Sequence, residues 1–79
     1  MNLRLVGIDP ESKTGTCPTV WVDETTGDLV VQGWNADDAT LTACLDSGSV
    51  PASETVVRLP VRMVVAIREA CDVAERSVL

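Results

Sequence analysis

The run Pro18-Thr-Val-Trp-Val-Asp-Glu-Thr-Thr-Gly-Asp-Leu-Val-Val-Gln-Gly33 decides the fold. Two segments rich in β-formers, 18–23 and 28–33, flank Glu24-Thr-Thr-Gly27. A four-residue connection ending in Gly fits a hairpin with Gly27 in the left-handed conformation. With 24–27 as the loop, Val22 faces Leu29 and Val20 faces Val31, which makes one face aliphatic. Trp21, Val30, Gln32 and Trp34 then share the other. A shift of one residue would pair Val20 with Gln32 and mix the faces, which a half-buried strand resists. The preferred register sets Asp23 opposite Asp28 at the open end, where water solvates both.

Upstream, the apolar run Leu3–Ile8 closes on the turn signal Asp9-Pro10 and reads as a strand. Residues 10–18 read as a loop. Downstream, a short helix is expected over about 36–46. Asn35 is its N-cap, Asp37 and Asp38 lie at the positive end of its dipole, and Leu41, Cys44 and Leu45 recur at helical spacing. The turn-rich stretch 47–53 leads to a fourth strand, 54–59. Pro60 then opens a final helix running to about Arg76, with an apolar stripe of Met63, Val64, Ile67, Ala70, Cys71 and Ala74. The sum is a single α+β domain, 1–79. It has a three- to four-stranded, mainly antiparallel sheet, a short helix and a long C-terminal helix (about 60–76) packed on one face.

Composition limits what such a domain does. The chain has 79 residues, 46% hydrophobic, with two Trp, no Phe or Tyr and no His. The missing His removes any chemistry or metal site that needs an imidazole. A domain of this size buries only about 60% of the surface of its unfolded chain, so a homodimer or a small protein partner is the expected source of further burial. The net charge is −6. All of it falls in 1–53, where Arg4 and Lys13 stand against eight acids, while 54–79 balance four Arg with four acids. Direct nucleic-acid binding, which draws on Lys and Arg neutralising phosphates, is therefore not expected. An acidic surface attracts a basic protein partner, although the same charge also serves plain solubility.

Cys17, Cys44 and Cys71 are odd in number and far apart, which suits neither a disulfide framework nor a zinc site. Free thiols in a cytoplasmic protein are expected, with Cys44 and Cys71 buried on helix faces. The start Met-Asn-Leu-Arg reaches Gly7 and Asp9 before an apolar run develops, so no secretory leader is expected. No stretch approaches a membrane span, so no membrane partner is expected.

Candidate chemistry is sparse. Ser12-Lys-Thr-Gly-Thr16 lacks the spacing of a phosphate loop and precedes no helix. Cys17 has only Lys13 nearby to activate a thiolate. The carboxylates at 23–28 and 37–46 do not follow the calcium-loop pattern. No enzyme, cofactor or metal is expected. The remaining feature is apolar surface: Trp21, Val30, Gln32 and Trp34 on the outer hairpin face, with Val61 and Val65 on the flank of the last helix. These six are the candidate interface residues. The opposing reading covers both faces of the sheet within the monomer and puts the Trp residues in the core. Rival functions are a small-ligand-binding domain with loop 10–18 as its lid, and a structural subunit of a larger assembly.

Cys17-Pro-Thr-Val-Trp21, Leu29-Val-Val-Gln-Gly-Trp34 and Glu54-Thr-Val-Val-Arg-Leu-Pro60 resemble motifs of a group of small actinobacterial proteins without an assigned activity. That group is often encoded beside helix-turn-helix regulators. The resemblance covers residues 3–70 and implies an accessory role in gene regulation through protein contacts. It carries over no catalytic or binding residue.

Overall fold

A computed structural model describes residues 1–12 and 18–78. Strands β1 (Leu3–Ile8), β2 (Thr19–Asp23) and β3 (Asp28–Gln32) form an antiparallel sheet in the order β1-β2-β3. A second, two-stranded sheet joins β4 (Trp34–Asn35) to β5 (Val57–Arg58). Helix α1 (Asp38–Leu45) lies between β4 and β5, and a 3-10 turn (Val61–Met63) leads into the long helix α2 (Val64–Val78), which packs on one face of the larger sheet.

The hairpin has the register set by its alternation. Val20 pairs with Val31, Val22 with Leu29 and Asp23 with Asp28. Gly27 closes the loop at φ +81°, a conformation that carries no Cβ penalty only for glycine. Its amide donates to the Asp23 carbonyl at 2.7 Å. Strand β1 pairs regularly from Leu3 to Leu5, then shifts: Leu5 faces Trp21 but Gly7 faces Val20, leaving Val6 as the extra residue of a bulge. The bulge turns Gly7 toward α2. A Cβ there would lie 2.7 Å from the Cβ of Ala66, so the helix approaches the sheet most closely at a position that only glycine permits.

The core is small: Val20, Val22, Met63, Ala70 and Val73 are buried, and Val6, Leu59, Ala66, Ile67 and Ala74 pack around them. Met63, Ile67, Ala70 and Ala74 face inward as expected, and the stripe is corrected at two positions. Val64 is 40% exposed and Cys71 is exposed, while Ala66 and Val73 take the inward positions. Apolar residues cover more than half the circumference of α2, so the stripe has room to turn about the helix axis, and it turns so that Ala66 meets Gly7.

Two other expectations shift. Asn35 belongs to β4, where it pairs with Val57. The N-cap of α1 is Asp37, whose carboxylate accepts from the Thr40 amide at 2.8 Å. The strand expected over 54–59 shrinks to Val57–Arg58, because β4 offers only two residues before the chain turns into α1. Pro60 stands at the extended position just before the 3-10 turn. Lys13–Cys17, with most of the supposed lid and phosphate-like segment, lie outside the described residues.

Candidate protein-interaction surface

Because Val20 and Val22 point at α2, strand alternation turns Trp21 to the opposite face. Leu5 and Val30 are its direct neighbours across the ladder, so one apolar row crosses all three strands, with Leu3 two residues along β1. Leu5 is 52% exposed, Leu3 41% and Val30 36%, while Trp21 is half-buried. The molecule measures 35 × 31 × 19 Å. A thickness of 19 Å suits one helix layer on one sheet, since packed layers lie about 10 Å apart. Helix α1 makes no extensive contact with the three strands. The outer face of the sheet is thus open around Leu3, Leu5 and Val30, while Thr19 at its other end is buried.

The six candidate residues do not make one patch. Trp21 and Val30 are cross-strand neighbours, and Gln32 follows on the same face of β3, paired with Thr19. Trp34 lies beyond a break at Gly33, paired with Arg58 in the second sheet. A Cβ on Gly33 would sit 2.8 Å from the Arg58 carbonyl oxygen, so the close approach of β5 ends β3 there. Val65 is on the side of α2 that faces away from the sheet, and Val61 is the most exposed residue of the 3-10 turn. The outer-face group and Val65 are therefore separated by the thickness of the molecule.

Trp34 instead meets a charged knot absent from the sequence reading. Asp9 is almost wholly buried. The Arg62 guanidinium donates to both its carboxylate oxygens, from Nε at 2.6 Å and from Nη2 at 2.7 Å. Glu11 lies 3.0 Å from the same Nε, and its amide donates to Asp9 Oδ1 at 2.9 Å. The Arg62 guanidinium lies 5.9 Å from the centre of the Trp34 ring, within reach of a cation–π contact. The backbone of Asp9 is held too, with its amide donating to the Pro18 carbonyl at 2.8 Å. The Arg62 hydrogen bonds, helped by the Glu11 amide and the Arg62 charge, hold the Asp9 carboxyl below its usual range against the opposing effect of burial. The same bonds raise the pKa of Arg62. A carboxylate held this way stays ionised and is a weak base. The knot clamps the turn after β1 to the start of α2. Asp9 and Arg62 stand 53 residues apart, and the only local signal was an acid closing an apolar strand.

Around α1 the surface is hollow. A cavity of about 380 Å³ is lined by Leu41, Val50, Pro51 and Val56 with Asn35 and Glu54 at its rim. On the other side of α1, Arg58 donates to the Thr40 hydroxyl at 2.5 Å. The Asp37 carboxyl is held low, first by the Thr40 side chain and then by its amide. Cys44 is half-buried nearby. Among the described residues no group of three acids or thiols is placed to hold a metal ion, and no helix is long and apolar enough to cross a membrane.

Fold and surface together define a two-layer α+β domain with one partly open sheet face. No family model matches the chain, and no curated protein or solved structure matches it.

Proposed function

We propose that this chain is a protein-interaction module with no chemistry of its own, and that it binds through the outer face of the three-stranded sheet. The observation that supports the reading is the row Leu5–Trp21–Val30, extended by Leu3 and left open on a two-layer molecule. Contiguous exposed apolar surface marks interaction sites, and burying it contributes about 25 cal/mol per Å². Asp23 and Asp28 face each other on the same side of the sheet, so the row has an acidic margin that suits a basic partner. The resemblance of Cys17–Trp21 and Leu29–Trp34 to proteins encoded beside helix-turn-helix regulators makes such a regulator the first partner to test.

The test is capture of a genomically adjacent regulator by the full chain and by the double variant Leu5→Ser/Val30→Thr. Both positions are part-exposed, so the fold tolerates them. The variant is expected to weaken capture at least tenfold while keeping the thermal transition of the parent. Undiminished capture by the folded variant, or no capture by the parent, overturns the reading.

A further inference from the structure

The two edges of the sheet are built differently. Edge β1 carries a bulge at Val6 and a charged Arg4, devices that blunt an edge against pairing. Edge β3 has no bulge, and its single charge is Asp28 at its first residue. It runs in unbroken register from Asp28 to Gln32 with no Lys, Pro or bulge, and all five residues are exposed. Among the described residues, no strand pairs with its outer side.

The core does not end at this edge in polar residues; it runs off it. Leu29 and Val31 pair directly with Val22 and Val20 on the inner face, yet they are 41% and 40% exposed where Val22 and Val20 are at 0%. The cause is the position of α2. The Ala66 Cβ lies 2.7 Å from where a Cβ on Gly7 would be, so the helix rests close over β1 and β2. The opposite flank of the helix, seven residues per step, is Val64, Cys71 and Val78, all exposed. Val78 reaches the hairpin loop, 2.9 Å from where a Gly27 Cβ would be, so this flank lies on the β3 side. Leu29 and Val31 form the floor of an apolar trough and the helix flank forms its single wall.

We propose that a second copy of the chain completes this trough by pairing its own β3 antiparallel to the first, giving a two-fold, six-stranded sheet centred on Val30. The strand is self-complementary in that register. Leu29 stands opposite Val31 of the second copy, and Asp28 opposite Gln32, so no acid faces an acid. The two Asp28 side chains end up about 14 Å apart, at 3.4 Å per residue. That exceeds the Debye length of about 8 Å at physiological salt, so the −6 charge of each chain does not bar the contact.

The chain as a whole carries more surface than a compact monomer does. The accessible surface is 5570 Å², roughly 950 Å² more than the about 4,600 Å² expected of a compact monomer of 8.4 kDa. A standard interface takes about 800 Å² from each partner. The radius of gyration, 13.8 Å, likewise exceeds the about 11.6 Å of a compact chain of this length. Pairing at the edge leaves Leu3, Leu5 and Trp21 uncovered, so the inference does not depend on the outer-face reading. It would give the dimer two such faces on one continuous sheet.

Sedimentation of the full chain across the micromolar range tests the proposal. A mass of twice 8.4 kDa is expected at the upper end, and a single-chain mass throughout overturns it. The double variant Leu29→Lys/Val31→Lys installs the guard that β3 lacks, and self-association is expected to weaken roughly 100-fold. A folded variant that dimerises as the parent does places the contact elsewhere and overturns the proposal. Should the variant fail to fold, hydrogen exchange of the unmodified chain decides. Amides of residues 28–32 are expected to slow as concentration rises while those of β1 do not, and any other pattern overturns the proposal. Regulator capture is scored separately on the same lysine variant, so loss of the dimer and loss of outer-face binding are distinguishable.

Discussion

The two helices of this molecule show how differently a short chain secures its parts. Helix α2 has one strongly apolar side, contributes Ala70 and Val73 to the core, and rests on the sheet. Helix α1 has no buried residue and no distinct apolar side; Leu41 and Cys44 are half-buried and Leu45 is 57% exposed. What holds α1 is polar: the Asp37 cap at one end and the Arg58–Thr40 bond to β5. A helix of eight residues is marginal by itself, so α1 and the β4–β5 pair depend on a body that α2 and the hairpin make stable. Stability resides in the β1–β2–α2 half, and the 33–59 half adds surface.

That contrast can be broken by mutation. Met63 is 1% exposed and is the largest fully buried side chain. Met63→Ala is expected to cost about 2–5 kcal/mol, read from chemical denaturation; a loss below about 1 kcal/mol would mean the core is looser than its burial indicates. Gly7→Ala drives a methyl against Ala66 at 2.7 Å, and overpacking of this kind costs about 1–3 kcal/mol. The paired change Gly7→Ala/Ala66→Gly should recover part of that loss if the clash is the cause.

The charged knot makes a pH prediction. The folded Asp9 carboxyl titrates below its unfolded value, so the unfolded chain binds the proton more readily and stability rises with pH through that range. The contribution is complete at neutral pH. It begins to fade as pH falls below the ordinary carboxylate range and is lost on passing the folded value. Asp9→Asn should therefore melt lower at pH 7 and show a flatter acid limb, and parallel acid limbs would show that the knot is not what titrates.

Cys71 should react with a thiol reagent in the native state, at protein concentrations low enough to keep single chains, and faster than Cys44. Slow labelling of Cys71 would restore the alternative phase of α2. Leu45→Ala, on the exposed side of α1, should change stability by no more than about 0.5 kcal/mol. Amide exchange in α1 should run ahead of that in α2 by orders of magnitude, and equal protection would merge the two halves into one cooperative unit.

The sequence by itself determined the hairpin. Its register is legible because a one-residue slip would bring Val30 and Gln32 onto the face of Val20 and Val22 and send Leu29 and Val31 to that of Trp21, and a period of two leaves no intermediate choice. The same alternation placed Trp21 with Val30 on the outer face. Gly27 and the two helices were readable for similar local reasons, loop length and periodicity. The phase of α2 was legible only in part: Met63, Ile67, Ala70 and Ala74 lie inward as the periodicity has them, whereas Val64 and Cys71 do not. Val64, Ala66, Ile67, Ala70, Cys71, Val73 and Ala74 spread apolar surface too far round the helix for periodicity to place the edges of the stripe. Only the bulge at Val6, which turns Gly7 inward to meet Ala66, made the choice. The Asp9–Arg62 pair was equally beyond local reading, because its partners meet only after the sheet and helix have packed. Tertiary structure likewise decided that Trp34 leaves the hairpin face, since the approach of β5 to Gly33 is a contact between segments 25 residues apart (33 and 58). Residues near one another in the chain settle questions of period and turn, whereas contacts between distant segments exist only in the packed state and so decide which surfaces remain open.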